Sequence, residues 1–217
     1  MRAYRELESL RDELRLKRSA IEGRLADFAR VGRGDDGQLF EELAFALLAI
    51  QSSARRSDSA VRELARSGLL LHGDADVIAE FLRHRIRFHN HKAQYLVRAR
   101  ERFLGTRPPS LKSALEGFAT NREARTWFVR EVDGLGMKEA SHFLRNIGRG
   151  EDLAILDRHI LRNLVRHRVI GRLPKTLTPN RYKAIEARLS EFAESLGTSV
   201  GVLDLLWWSR ETGEIFK

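Results

Sequence analysis

Two residues in this chain have the types and spacing for covalent chemistry. Lys138 directly follows Gly134-Leu135-Gly136-Met137 and opens a helical pattern. Asp157 stands nineteen residues further on, between the apolar run Ala154-Ile155-Leu156 and another helical pattern. A lysine in a first helical turn is electrostatically misplaced, because the free N–H groups and aligned peptide dipoles there repel cations. That repulsion, with partial burial, predicts an amine pKa lowered from about 10.4 toward neutrality. An amine freed of its proton is a nucleophile. Asp157 reads in two ways, as a helix N-cap and as a carboxylate that assists the lysine. Both readings hold together if one oxygen caps the helix while the other faces a cleft.

The turn before Lys138 has chemistry of its own. Two glycines around one apolar residue allow a tight hairpin and close backbone approach, with Leu135 plugged into a core. The helix that starts near Met137 then points its free N–H groups out of the turn, as an anion site. Gly-x-Gly alone is more often an ordinary helix–helix turn. Its neighbours Lys138 and Asp157 shift the balance toward a phosphate-holding hairpin at about residues 131–147.

These residues need helices to position them, and the pattern is helical nearly throughout. Leu7, Leu14, Ile21 and Phe28 recur every seven residues, with Leu10 and Leu25 between them, as on one long amphipathic helix or two. A polar break follows at residues 31–37. Further helical patterns cover 38–50, 61–70, 75–83, 90–103, 110–119 and 121–132, with Pro108-Pro109 as a firm break. Thr178-Pro179 opens a helix that ends at Gly197, and a last one covers about 199–209. The expectation is an all-α fold, two helical lobes around a cleft, forming one domain over 1–217.

Composition narrows the function. The 217 residues include no cysteine, which excludes disulfides, a cysteine nucleophile and cysteine-ligated metal clusters. The formal net charge is +9, which favours polyanionic partners. No apolar run approaches the roughly 18 residues of a membrane span. The charged start MRAYRELESL lacks a secretory h-region, so the expected compartment is the cytoplasm. No leftover apolar stripe argues for self-association, so a monomer is expected.

The run Gly-Leu-Gly-Met-Lys-Glu-Ala-Ser-His-Phe-Leu-Arg-Asn-Ile-Gly at 134–148, followed by Ala-Ile-Leu-Asp-Arg-His-Ile-Leu, resembles the helix-hairpin-helix DNA glycosylases. Within them it is similar to the archaeal and bacterial Ogg2-type 8-oxoguanine glycosylase/AP lyases, over about residues 37–217. The resemblance implies excision of 8-oxoguanine from double-stranded DNA and strand cleavage by β-elimination, with no metal and no cofactor. It implies Lys138 as the nucleophile at the sugar C1′ and Asp157 as the carboxylate that stabilises positive charge there. Gly134, Gly136, Arg158 and His159 are the implied DNA contacts. Gln51, after the early helix 40–50, is the candidate to enter the gap left by a flipped base, with an exposed helix end as the equal alternative. Phe88, in Ile86-Arg87-Phe88-His89-Asn90-His91-Lys92-Ala93, would border the base pocket. Trp208 would stack on the base and Lys217 would hydrogen-bond it, with core packing expected for one of the paired tryptophans 207 and 208. Members of the family often carry a cysteine in the early helix, where this chain has Phe45 and Ala46.

Three rivals remain. A related glycosylase for another damaged base would differ in base preference. A non-catalytic helix-hairpin-helix module would need the glycines and positive charge but neither Lys138 nor Asp157. A histidine metal site would draw on His84, His89 and His91, for which a phosphate-contacting loop is the stronger use. Core hydrogen bonding is the expected use of His142.

Overall fold

Seven of the twelve helices begin where a side chain supplies the first turn with a partner. Asp35, Asp74, Ser110, Thr120, Asp157, Thr178 and Ser199 all accept a backbone N–H from the turn they precede. Caps of this kind contribute about 1 kcal/mol each. A computed structural model describes residues 4–217; the first three residues of the expected domain lie outside the described residues. Among the described residues there are twelve helices and no strand, as the all-α expectation requires.

The first lobe is built from α2 (Asp36–Ala49), α3 (Ala54–Arg66), α4 (Leu69–His72), α5 (Ala75–Leu82), α6 (His89–Phe103), α7 (Leu111–Glu116), α8 (Asn121–Glu131) and α9 (Met137–Asn146). Helix α2 is buried along nearly its whole length and forms the axis of this core. The second lobe joins α1 (Leu7–Gly32) to α10 (Arg158–Arg166), α11 (Pro179–Ser195) and α12 (Val200–Thr212). Its centre is Trp207, fully buried and stacked on His167 at 5.7 Å and Phe192 at 6.1 Å. Helix α1 touches α2 and α9 as well as α12, so the chain's first helix ties the lobes together. It is one helix, with Leu10, Ile21 and Phe28 buried and Leu7, Leu14 and Leu25 packed at the rim.

Several boundaries differ from the sequence pattern, α7 ending at Glu116 rather than 119 and α12 running to Thr212 rather than 209. The polar break is short, since α1 runs to Gly32 and α2 starts at Asp36, placing Gly37 inside a helix. The reading of one helix at 61–70 is corrected to two, α3 and α4. Ser53 precedes α3 without a side-chain cap bond, so no cap signal marks its start. Gly68 at φ 75° breaks the chain between α3 and α4. Among the described residues, no helix is long and apolar enough to cross a membrane.

Candidate active site

The hairpin joins α8 to α9. Gly134 adopts φ 82°, and a Cβ there would lie 2.5 Å from the Tyr95 ring, so this glycine is required twice over. Gly136 has ordinary extended backbone, and a Cβ there meets only the mobile Glu139 carboxylate. Leu135 is buried, as the plug reading expects. Gly136 precedes α9 without a side-chain cap, in contrast to the seven capped helices. The first N–H groups of α9 are therefore free to receive an anion.

Lys138 sits in this uncapped turn, about a third exposed, with Nζ 3.6 Å from Glu139 Oε1. Asp157 caps α10. Its Oδ1 accepts both the His159 and Ile160 N–H groups at 2.8 Å, while Oδ2 has no protein hydrogen bond. One oxygen is thus in the cap and the other is free of the protein.

A buried cluster ties together the elements that carry these two residues. Arg125 of α8 and Glu186 of α11 form a two-pronged pair, Nη1–Oε1 at 2.5 Å and Nη2–Oε2 at 2.7 Å. Arg125 also donates to Ser141 Oγ of α9 at 3.1 Å, and Glu186 accepts the Ala154 N–H at 2.8 Å. Tyr182 of α11 donates to Ala154 O and accepts from Leu156 N–H. The segment before Asp157 is thus fastened directly to Glu186 and Tyr182 of α11, and the Lys138 helix reaches Glu186 through Arg125. Asp204 of α12 lies within electrostatic reach of both Asp157, which raises its pKa, and Lys138, which lowers it. Burial pushes the Asp204 carboxyl up to about 6, partly offset by Arg145 at 3.5 Å.

Each residue of Ser141-His142-Phe143-Leu144-Arg145-Asn146 has a task. Ser141 receives Arg125, Phe143 meets Phe128 edge-on at 5.1 Å, and Leu144 is core. Arg145 reaches Asp204 and lies over Phe28, and Asn146 donates to Glu42 Oε2 at 3.0 Å. The expected core hydrogen bonding of His142 is corrected. Its ring packs edge-on against Phe45 at 5.2 Å, and its Nε2 is buried without a partner. Burial first, and then Arg145, Lys138 and Lys217, hold its pKa well below the usual value, so it is neutral. An unpartnered buried polar atom is costly, about 1–3 kcal/mol, unless a ligand meets it.

The implied pocket residues fall in different settings. Trp207 is the core tryptophan, whereas Trp208 is partly exposed, edge-on to His159 at 5.8 Å, with its indole N–H unpartnered. Lys217 crosses to the first lobe, where its Nζ lies 2.7 Å from both Glu42 Oε1 and Asp58 Oδ1 and 5.0 Å from the Phe45 ring centre. Its amine is thus already committed. Phe88 is half-exposed at the start of α6, with the Arg87 guanidinium over its ring; no ring contact joins it to Trp208. Arg158 is exposed and donates from Nε to His159 Nε2 at 3.1 Å, and His159 Nδ1 lies 3.1 Å from Glu211. Gln51 is exposed at φ 50° in the turn between α2 and α3. His84, His89 and His91 do not converge, and His91 instead stacks on Tyr95.

Sequence reasoning missed Lys92. Its side chain is buried, and Nζ donates to Leu48 O at 2.8 Å, Ile50 O at 2.5 Å and Ser52 Oγ at 3.1 Å. It closes the C-terminal end of α2 and shapes the turn that presents Gln51. Desolvation, with a contribution from Arg87, lowers its pKa to about 8. The available signal was a lysine within the apolar face of Ala93 and Leu96. Glu186 was missed as well, as the one acidic residue in a long basic stretch.

These features have counterparts among known proteins. The family model for 8-oxoguanine DNA glycosylase (Ogg-HhH) matches residues 21–198. An 8-oxoguanine DNA glycosylase/AP lyase of Fusobacterium nucleatum is 40% identical over 215 residues, covering 99% of this chain and 97% of that protein. A Methanocaldococcus jannaschii protein of the same name is 34% identical, covering 91% of each. The crystal structure of the Thermotoga maritima 8-oxoguanine DNA glycosylase superposes with a TM-score of 0.84 at 36% identity, over 98% of this chain and 100% of that one. That of the M. jannaschii 8-oxoguanine glycosylase/lyase in complex with 15mer DNA containing 8-oxoguanine superposes with a TM-score of 0.86 at 32% identity, covering 96% and 100%. A helical fold in two lobes, with an uncapped hairpin beside a lysine and a carboxylate, defines a helix-hairpin-helix DNA glycosylase. The chain belongs to the 8-oxoguanine DNA glycosylase family.

Proposed function

We propose that this chain removes 8-oxoguanine from duplex DNA and then cleaves the abasic strand. The observation that carries the reading is the Lys138–Asp157 arrangement: a lysine in an uncapped helical turn, whose helix is tied to α11 through Arg125, and a carboxylate with one free oxygen, whose loop is tied to α11 through Ala154. The hairpin N–H groups hold a backbone phosphate, which positions the duplex without reading its sequence. Extruding the damaged nucleotide costs a few kcal/mol of lost stacking, and Gln51 enters the gap. Trp208 supplies a stacking face. The Lys217 amine, held by Glu42 and Asp58, fixes that residue's position so that its main-chain atoms face the base. Phe88 borders the pocket from the α6 side, and Arg158 and His159 contact the phosphates.

Lys138 Nζ then attacks C1′ as the C1′–N9 bond breaks, and the base leaves with the bonding pair. Asp157 Oδ2 stabilises the positive charge on the sugar and takes a proton from the amine. Ring opening gives a Schiff base, and loss of a 2′ proton expels the 3′ phosphate. The enzyme acts as a monomer in the cytoplasm.

Borohydride trapping on duplex DNA with a single 8-oxoguanine tests this reading. A covalent adduct is expected with wild type and not with Lys138→Gln, and not on undamaged DNA. An adduct that survives Lys138→Gln would mean another nucleophile, and adducts formed only on a different lesion would reassign the base.

A further inference from the structure

The chain's positive charge is concentrated. Residues 158–188 hold nine Lys and Arg and a single acid, Glu186, a surplus of eight out of the net +9. The rest of the chain holds thirty basic and twenty-nine acidic residues and is nearly neutral. All nine of these cations are exposed, while Glu186 is buried and committed to Arg125.

Four of them line one groove, between the α10–α11 connection and α11: Arg172, Lys175, Arg181 and Arg188. No carboxylate lines it. Arg181 reaches only the Thr176 carbonyl, and among the described residues none of the four has an ion-pair partner. Along α1 the pattern is the opposite. Arg11, Arg15, Arg18, Arg24 and Arg30 of α1 each sit against a carboxylate one turn away. Like charges gathered without counter-charges repel each other and suit a polyanion. Arginine suits phosphate oxygens in particular.

We propose that this groove holds the phosphodiester backbone of the duplex to one side of the lesion. The inference rests on the reading of the chain as a duplex-DNA enzyme. Asp157 caps the start of α10, and the groove lies past its other end. Nine residues of helix span about 14 Å, or about four base-pair steps at 3.4 Å each. The groove is thus outside the reach of the nucleotide under attack and takes a sequence-independent hold on the flank.

The test compares the full-length wild type with Arg172→Gln/Lys175→Gln/Arg188→Gln. Two lesion duplexes are used, each with a long arm on one side and only about three base pairs on the other, in the two orientations, a length set by the same spacing. A charge-matched control carries Arg15→Gln/Arg18→Gln/Arg30→Gln on α1. Loss of three phosphate contacts should flatten the slope of log affinity against log salt by about 3, and weaken binding on the order of 10²-fold at 0.15 M salt. The loss is expected on one orientation only, with single-turnover excision at saturating enzyme unchanged. An unchanged slope on both orientations overturns the proposal, as does an equal loss on both or an equal loss in the α1 control. Failure of the wild type itself to trap 8-oxoguanine DNA would instead defeat the functional reading.

Discussion

Asp157 has two jobs in one side chain, and they can be separated by substitution. Asp157→Ala removes both 2.8 Å bonds from the first turn of α10. Loss of an N-cap costs about 1–2 kcal/mol. For a chain of this length that lowers Tm by roughly 2–8 °C. Asp157→Asn keeps an oxygen to accept the same N–H groups and loses only the charge at the helix start, less than about 1 kcal/mol. Catalysis should respond differently. A carboxylate about 5 Å from a cationic sugar, at an effective dielectric of about 20, contributes about 3 kcal/mol, or roughly 10²-fold in rate. Both variants should therefore lose about two orders of magnitude in single-turnover base release, while only Ala melts markedly earlier. The assay is excision at saturating enzyme beside thermal denaturation. An Asn variant within a few-fold of wild type in rate would refute the argument and leave Asp157 as a cap alone.

Other consequences are equally direct. Gly134→Ala forces a side chain into the left-handed region and against Tyr95, at a cost above about 1–2 kcal/mol; its Tm and DNA affinity should fall, whereas Gly136→Ala should be mild in both. Glu186→Gln leaves Arg125 buried without its counter-charge, and breaking such a pair costs about 3–5 kcal/mol; a fall in Tm on the order of 10 °C is expected, and an unchanged Tm would contradict the role given to the cluster. Lys92 has a folded-state pKa of about 8, below its ordinary 10.5, so the unfolded chain binds more protons between those values and stability rises with pH there. Relative to Lys92→Met, wild type should gain up to about 3 kcal/mol from pH 8 to 10.5 at 1.36 kcal/mol per pH unit, read by urea denaturation; parallel curves would show that Lys92 is not desolvated.

Features carried by neighbouring residues were legible in the sequence. Thr178-Pro179 and Ser199 announce helix starts because a cap bonds to a backbone N–H two or three residues away. The hairpin was legible for the same reason, since Gly134 supplies its own left-handed backbone and the glycine of the cap leaves the next turn open. The start of α3 was not legible, because Ser53 makes no cap bond there. The placement of Lys138 and Asp157 was visible one helix end at a time, but not what holds them together. Arg125 and Glu186 are sixty-one residues apart, and Lys217 meets Glu42 across 175. Nothing in the local pattern separates those charges from the many that face water. Lys92 likewise reads as a surface lysine until α6 packs against the end of α2 and leaves it no solvent. Sequence by itself determined the helices, the turn and the reactive residue types, which depend on bonds within a few residues. Tertiary packing alone decided which charges are buried, paired or left without a partner, because desolvation is a property of the assembled lobes.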